Sequence, residues 1–375
     1  MTQRPGLALD WALLLVVVGL LLFSLALVYS ASAAVGVWKF GSSQYFLVRH
    51  AVRVGLSIVL LLACAWVDYR HWQRFSGLLL WIGIGLLLLV LVLGEPVKGA
   101  ARWLQIGPLR FQPSEYIKFA LLLHMARLLA QEPTVRRPPS AKRPLLWLLL
   151  CCGLIAAQPN ASVAVLLALV GMLLLLSAGV RWATLSSVAL LGMLAMGVYL
   201  VAAPYRMARL ASFFEGETLP YQARQALLAF GHGGILGVGP GQSIQRELFL
   251  PEAYGDFVFA IVGEEYGIVG TTVVILAFAV LLWRGMRVAQ RAPDAFGFLV
   301  ALGITATFGL YAVVHMAVTT GLLPVTGIPL PFVSYGGSSI FFSAAAAGVL
   351  LNIARQAQMP RWQGTLPGVM LPRSR

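Results

Sequence analysis

The chain has 375 residues, of which 59% are hydrophobic and 11% charged, and its formal net charge is +14. Soluble globular domains carry about 25% charged residues, so the composition excludes an ordinary soluble domain and predicts an integral membrane protein. A positive charge would also suit a nucleic-acid-binding protein. The Lys and Arg residues, however, lie in short loops between apolar stretches, which is typical of membrane topology, and no nucleic acid partner is expected.

Apolar stretches, taken in chain order, predict ten transmembrane helices. The first uncharged stretch runs from Trp11 to Trp38, which is too long for a signal peptide and long enough to cross a bilayer. The fold class that follows is an all-α integral membrane protein with a single polytopic domain over residues 1–375. The predicted spans are about 11–33, 48–67, 75–94, 113–130, 144–158, 161–180, 182–204, 257–283, 296–322 and 338–354.

Two regions of this topology need an argument. The uncharged stretch from Pro144 to Val180 would be about 55 Å long as one helix, nearly twice the thickness of a bilayer core. Gln158-Pro159-Asn160 interrupts it, so we expect a tight hairpin of two spans. The segment 113–130 is the least apolar of the set, and counting it as a span places both chain termini on one side.

The distribution of charge sets the predicted orientation. More than half of the 27 Lys and Arg residues lie on the side that holds both termini, which marks that side as cytoplasmic. The other side holds most of the unusual polar residues, so the functional site is expected to face outward. Its segments are 95–112, 158–161, 323–337 and the large extracytoplasmic loop 205–256.

The most informative carboxylate is Asp256, which lies at the end of the large outer loop. A carboxylate at a membrane boundary is costly to desolvate, which makes Asp256 a candidate general base. The alternative is an N-cap for a helix that begins at Phe257, since Asp is a favoured cap residue. Glu252, four residues earlier, could cap or orient the same loop.

Other polar residues lie within apolar stretches. Glu264 and Glu265 lie about two turns into the helix that follows Asp256, where a buried Lys or Arg partner is expected. We expect a structural ion pair for at least one of them. His315 is interpreted as a hydrogen-bonded interior histidine.

Several basic residues lie on the outer side, against the usual distribution. Arg206 and Arg209 closely follow the seventh span, and they either anchor to lipid headgroups or bind the phosphates of a substrate. The company of further cations on this face favours an anionic, membrane-borne substrate such as a lipid pyrophosphate. These further cations are Lys98, Arg102, Arg110, Lys118 and Arg246.

The stretch 231–243 is dense in glycine and ends in Gln242 and Ser243. Such a run lets backbone N–H groups approach phosphate oxygens closely, and it is equally compatible with a flexible turn. The pattern is weak, because no Walker lysine accompanies it.

Two further segments are polar. Glu115 and Lys118 share one helix face, where they form either an intrahelical ion pair or the wall of a groove that receives substrate. The segment from Ser334 to Ser339 follows several prolines. An irregular chain at membrane depth is tolerated only where it is buried in protein or lines a water-filled cavity. This segment is therefore expected to lie against protein or to line such a cavity.

A series of short motifs runs along about residues 30–354. They are Tyr29-Ser30-Ala31-Ser32, Gly99-Ala100-Ala101-Arg102-Trp103, Gln112-Pro113-Ser114-Glu115 with Lys118, Pro204-Tyr205-Arg206 with Arg209, Gly237-Val238-Gly239 with Gly241-Gln242-Ser243, Leu250-Pro251-Glu252 leading to Asp256-Phe257, Gly263-Glu264-Glu265, and Pro329-Leu330-Pro331 leading to Ser334-Tyr335-Gly336-Gly337-Ser338-Ser339. In this order they resemble the SEDS family (shape, elongation, division and sporulation), the FtsW and RodA proteins.

The resemblance implies ten transmembrane helices and an inverting peptidoglycan glycosyltransferase that polymerises lipid II at the bacterial inner membrane. It implies a class B penicillin-binding protein and other division or elongation proteins as partners. No cofactor is certain, and a divalent cation such as Mg²⁺ or Mn²⁺ could assist. Asp256 corresponds to the essential aspartate of the family. The substrate-binding residues expected are Arg102, Glu115, Lys118, Arg206, Arg209, Gln242, Ser243, Glu252 and Ser338.

Some positions depart from the family pattern. Tyr254-Gly255 replaces the usual His-Thr ahead of the aspartate, and Asn160 replaces a usual acid. Leu250-Pro251-Glu252-Ala253 resembles the division branch, whereas the stretch from Gly327 to Pro331 suits the elongation branch equally well. The alternatives to an enzyme are a transporter that flips the lipid precursor and a division scaffold without catalysis.

Overall fold

The computed structural model describes residues 9–97, 100–107, 109–131, 140–203, 207, 213, 220–247 and 249–357. The chain is mostly helical, and a small antiparallel sheet lies between its third and fourth helices. The helices are α1 (Trp11–Phe40), α2 (Tyr45–Trp66), α3 (Tyr69–Leu93), α4 (Pro113–Ala130), α5 (Lys142–Ala157), α6 (Ala161–Ser177), α7 (Trp182–Val201), α8 (Tyr221–Gly233), α9 (Val258–Arg291), α10 (Ala295–Thr319) and α11 (Gly337–Gln356). The strands are β1 (Glu95–Val97), β2 (Ala100–Ile106) and β3 (Leu109–Phe111), in that order.

Among the described residues, seven helices are long and apolar enough to cross a membrane: α1, α2, α3, α7, α9, α10 and α11. The chain is therefore a multi-pass membrane protein. A helix also lies close to each remaining predicted span, as α4, α5 and α6. The sheet and α8 were not predicted, because the outer segments were interpreted as loops.

The centre of the bundle is formed by α4, α10 and α11, most of whose residues are buried. By contrast, α7 exposes nearly its whole surface. Ile117, Leu121 and Ala126 of α4 have no exposed surface, which explains why this helix tolerates charged residues that a lipid-facing helix would not. Pro113 occupies its first turn, as its fixed backbone angle favours.

Polar contacts join the helix ends at one end of the bundle. The Arg284 guanidinium on α9 lies 2.7 Å from the carboxylate of Asp10, which caps α1. The Tyr69 hydroxyl on α3 donates to Asp294, the N-cap of α10, at 2.6 Å. The opposite end of the bundle, where α2 and α11 begin, holds the segments predicted to face outward.

Helix α9 is broken at Gly267, where φ is 63° and ψ is −158°. The sequence analysis predicted one span over 257–283 and did not foresee a break within it. A break inside an apolar bundle must satisfy its freed backbone groups within the protein. Segment 234–239 satisfies them through four hydrogen bonds of 2.9–3.2 Å: Val238 N–H to Glu264 C=O, Gly239 N–H to Glu265 C=O, Ile268 N–H to Gly234 C=O, and Val269 N–H to Ile235 C=O.

The glycine-rich stretch owes its composition to this contact. A Cβ on Gly233 would lie 1.9 Å from the carbonyl oxygen of Gly263, and one on Gly237 would lie 2.2 Å from that of Glu265. The N–H groups of Val238 and Gly239 in this stretch therefore donate to carbonyl groups of the broken helix. Phosphate binding by the other N–H groups of the stretch stays a prediction.

We predict that Gly233→Ala destabilises the protein by about 2 kcal/mol or more, because the added methyl group overlaps backbone that cannot rotate away. Gly231→Ala is the matched control, since a methyl group added to Gly231 on the same helix would point into open space. The thermal midpoint of the detergent-solubilised protein checks this. Equal midpoints for the two variants would contradict the close approach.

Candidate functional site

The turn that carries Asp256 lies directly before α9. The Asp256 N–H donates to the Glu252 carbonyl at 3.1 Å, and the Asp256 side chain is half-buried. Phe257 is the N-cap of α9, and its own side chain makes no capping hydrogen bond. Asp256 therefore lies one residue before the N-cap, and both its N-cap role and its role as a base stay predictions.

A second segment, residues 324–336, packs against this turn. The Ser334 hydroxyl donates to the Gly255 carbonyl at 2.6 Å, and the Tyr335 N–H donates to the Tyr254 carbonyl at 2.8 Å. From the same segment, Gly327 approaches Asp256 so closely that a Cβ on Gly327 would lie 3.2 Å from Oδ2 of Asp256. The carboxylate thus lies where the turn before α9 meets the segment 324–336.

Apolar side chains form the floor under the turn. Leu250, Ala253 and Phe257 are buried and pack with Ala226 and Ala229 of α8. Asp256 therefore lies half-exposed beside a buried apolar cluster, and its carboxylate keeps access to solvent.

Tyr254 is a titratable neighbour of Asp256. Burial, and after it the negative charge of Glu252, raises the pKa of the Tyr254 phenol above its ordinary value. The phenol therefore stays protonated at neutral pH and does not compete with Asp256 as a base.

An aromatic and cationic wall at the start of α2 was missed by the sequence reasoning. Phe46, Tyr254 and Tyr335 pack together, with ring centroids 5.1–5.5 Å apart. The Arg53 guanidinium lies 4.8 Å from the centre of the Tyr335 ring, and Arg49 lies one turn earlier on α2. The available signal was two arginines four residues apart near the start of an apolar helix, which places them on one face.

Glu115 and Lys118 form the expected ion pair inside the bundle. Their charged atoms are 2.7 Å apart, and their side chains are only 1% and 5% exposed. The Lys118 ammonium also lies 4.2 Å from the centre of the Tyr311 ring. Because its charge is already neutralised by Glu115, Lys118 is a poor partner for a substrate phosphate, and the groove-wall role stays a prediction.

Arg102 and Ser338 connect the outer segments to the bundle. The Arg102 guanidinium on β2 donates to the carbonyl groups of Gln158 and Pro159 in the turn between α5 and α6. The Ser338 hydroxyl on α11 accepts from the Gln112 N–H at 2.9 Å. Both contacts hold the site together, and substrate binding by these residues stays a prediction.

Asn160, one of the departures from the family pattern, caps no helix with its side chain. Its amide nitrogen approaches the Ser114 hydroxyl to 3.5 Å at the start of α4. A carboxylate at this position would have no proton to donate there.

The carboxylates of Glu264 and Glu265 are buried beside the glycine-rich segment. The Glu264 carboxylate accepts a hydrogen bond from the Ser243 hydroxyl. It also accepts from the N–H groups of Ile244 and Gln245, at 3.1 and 3.3 Å. The His232 imidazole lies 3.5 Å away, where a Lys or Arg was expected. Glu265 accepts from the Ser30 hydroxyl, which Arg246 also contacts at 3.4 Å.

The structure places two more of the predicted site residues, Gln242 and Ser243. Ser243 is buried and faces Glu264, whereas Gln242 is exposed. Arg206 and Arg209 lie outside the described residues, so the predictions for them stay as they are.

A resident metal ion would need a cluster of suitable ligands. Among the residues that the structure describes, no three His, Cys, Asp or Glu side chains cluster closely enough to hold a metal. The described residues therefore do not fit a metal held by the protein alone.

Sequence comparison identifies relatives over nearly the whole chain. A family model described as cell cycle protein, for FtsW, RodA and SpoVE, matches residues 11–359. A probable peptidoglycan glycosyltransferase FtsW from Trichlorobacter lovleyi is 40% identical over 356 residues, which cover 92% of this chain and 93% of that protein. Stage V sporulation protein E from Bacillus subtilis is 38% identical over 358 residues, covering 92% and 97%.

Solved structures agree with the sequence relatives. A chain from a peptidoglycan synthase complex that coordinates polymerisation and crosslinking superposes with a TM-score of 0.78 at 26% identity, covering 95% of this chain and 99% of that one. The rod shape determining protein RodA from Thermus thermophilus gives a TM-score of 0.71 at 28% identity, covering 96% and 99%.

We predict that Lys118→Met destabilises the protein by about 3–5 kcal/mol, because it leaves the buried Glu115 carboxylate without its partner. The double variant Glu115→Gln/Lys118→Met should recover most of that loss. Arg127→Met, on the more exposed end of the same helix, is the control. Thermal midpoints in detergent measure all three variants, and a double variant as unstable as Lys118→Met would contradict a pair that acts as a unit.

Proposed function

Because the chain belongs to the FtsW, RodA and SpoVE family and is a peptidoglycan glycosyltransferase, we propose that it polymerises lipid II with Asp256 as the general base. The observation that carries this assignment is the position of Asp256. Its half-exposed carboxylate lies beside a buried apolar cluster, on a turn that is hydrogen-bonded to the segment 324–336.

The proposed topology has ten transmembrane helices, α1 to α7 and α9 to α11, with both termini in the cytoplasm. The excess of Lys and Arg at the end of the bundle that holds Asp10 and Asp294 supports this orientation. The turn that carries Asp256 then faces outward from the bacterial inner membrane, where lipid-linked disaccharides are accessible to it.

The proposed reaction joins two lipid-linked disaccharide diphosphates. Asp256 accepts the proton of the acceptor's sugar C4 hydroxyl, and that oxygen attacks the anomeric carbon of the donor. The bond from the anomeric carbon to the phosphate oxygen breaks, and the lipid diphosphate leaves with the electron pair. Attack from the face opposite the leaving group inverts the anomeric configuration.

Cations beside the reacting centre would stabilise charge on the leaving diphosphate. Lys118 is discounted, because Glu115 already neutralises it inside the bundle. Arg206 and Arg209 keep their proposed role. Arg53 joins them because its guanidinium lies over the ring of Tyr335, which belongs to the segment that contacts the Asp256 turn. Arginine suits this task because its fork of donors matches phosphate oxygens.

A class B penicillin-binding protein is the proposed partner. The similar chain in the peptidoglycan synthase complex supports it, since crosslinking of the polymer is transpeptidase chemistry. Division is the proposed process, since a probable FtsW is 40% identical to this chain. Elongation is the alternative, since the rod shape determining protein RodA is similar in structure.

A divalent cation is proposed only as a companion of the substrate. Mg²⁺ is usually held by one or two carboxylates together with substrate phosphates, and Glu252 and Asp256 are two carboxylates on one turn. The reaction written above uses no cation. Polymerisation with chelator, and then with Mg²⁺ or Mn²⁺ restored, measures the requirement.

We predict that Asp256→Asn lowers polymer formation from purified lipid II at least about 100-fold, since the amide cannot accept the hydroxyl proton. Asp68→Asn is the control: Asp68 caps α3 through the Arg70 N–H, and Asn is an equally good cap. Gel analysis of labelled glycan measures both. Undiminished polymer from Asp256→Asn would remove the assignment, and precursor translocation by the protein alone would favour the transporter.

A further inference from the structure

We propose that Ser334, in the segment 324–336, is a positioning residue. Its hydroxyl holds the turn that carries Asp256 against residues 324–333 of that segment. This proposal rests on the proposed role of Asp256 as the base. Ser334 acts through the backbone and does not itself meet the substrate, because its side chain is only 1% exposed.

The hydroxyl of Ser334 makes two hydrogen bonds to different segments. It donates to the carbonyl of Gly255, the residue directly before the base, at 2.6 Å. It accepts from the N–H of Leu330 at 2.8 Å. A hydroxyl has one proton to donate and lone pairs to accept with, so one small side chain connects both segments.

A backbone hydrogen bond lies beside this connection. The Tyr335 N–H donates to the Tyr254 carbonyl at 2.8 Å, so two successive residues before Asp256 are bonded to the same strip of chain. Substitution of a side chain cannot remove that backbone bond. The part of the connection that depends on residue type is therefore the hydroxyl of Ser334.

Both segments hold a strained residue close to this contact. Glu252 and Phe332 have φ angles of 57° and 65°, in the left-handed region that non-glycine residues seldom adopt. Such conformations persist only where the surroundings over-determine them. Phe332 is fully buried against Phe308, at a ring distance of 4.9 Å, and the hydroxyl bond of Ser334 to Leu330 closes the same turn.

The segment 324–333 also limits the base from its other side. Gly327, with φ of 69°, leaves room for the Asp256 carboxylate, since a Cβ would lie 3.2 Å from Oδ2. One ring nitrogen of His315 on α10 lies 2.7 Å from the Ile328 carbonyl, which fixes the segment to the centre of the bundle. Ser334 and Gly327 together therefore set where the carboxylate lies.

Removing the hydroxyl should displace the carboxylate without emptying the binding site. A displacement of about 1 Å from reacting geometry can cost on the order of 100-fold in rate. In lipid II polymerisation we expect Ser334→Ala to lower kcat by about 10- to 100-fold and to leave KM within about twofold, since the interaction lost acts on the reacting step. Ser334→Thr, which keeps the hydroxyl, should restore most of the rate.

Two matched pairs of variants separate positioning from general damage. Ser76→Ala removes a buried hydroxyl that bonds to Gln73 of its own helix, and it should leave kcat unchanged. Gly327→Ala places a methyl group against the base. Gly321→Ala imposes similar backbone strain, with φ of 74°, but its methyl group would meet Leu227 at 3.5 Å. We expect kcat to fall for Gly327→Ala and not for Gly321→Ala.

Asp256→Asn is measured in the same preparation to distinguish the two proposals. If Asp256→Asn polymerises as fast as the parent, the proposed function fails. If Asp256→Asn is inactive while Ser334→Ala and Gly327→Ala keep the parental kcat, the positioning role alone is wrong. A Ser334→Thr variant as slow as Ser334→Ala would also overturn it, and the Gly327 pair decides the matter should Ser334→Ala fail to fold.

Discussion

The structure depends on one constraint, which is that a chain inside a bilayer must satisfy its backbone hydrogen bonds within the protein. Regular helices meet this requirement alone. At Gly267 the helix α9 breaks, and the segment 234–239 supplies the partners that the break leaves free. The close packing this requires is possible because Gly233 and Gly237 have no side chain. Hydrogen bonds at the break therefore join the glycine-rich segment to the first part of α9, which carries the buried carboxylate of Glu264.

The same constraint explains how the proposed base, which lies on a turn, can be held firmly. Catalytic side chains on loops are less well placed than those on helices unless a supporting shell fixes them. Here the shell is backbone: the turn before α9 and the segment 324–336 satisfy each other's polar groups. His315 connects that segment to α10, and Phe257 is buried at the start of α9. The turn is therefore held by two helices of the bundle.

What the sequence could predict follows from the range of the interactions involved. Helix positions depend on local apolar content, and the Glu115–Lys118 pair depends on a spacing within one helix, so both were predicted. The break at Gly267 was not, because an isolated glycine is common in helices and its partners lie about thirty residues away. Arg53 was missed for a similar reason, since its neighbour Tyr335 lies on another helix's entry segment.

Charge distribution also narrows the chemistry. A buried ion pair leaves neither partner available to a ligand, because each charge is already compensated where water is excluded. The bundle interior therefore offers an incoming diphosphate little through Lys118, whose ammonium faces Glu115 and the Tyr311 ring. Arginines at the outer helix ends keep their charge near water and present donors in a fixed fork. In the proposed reaction, the anionic lipid headgroup is therefore bound at the rim of the bundle, on the side where Arg53 meets Tyr335, and the proposed base Asp256 is left to deprotonate the sugar.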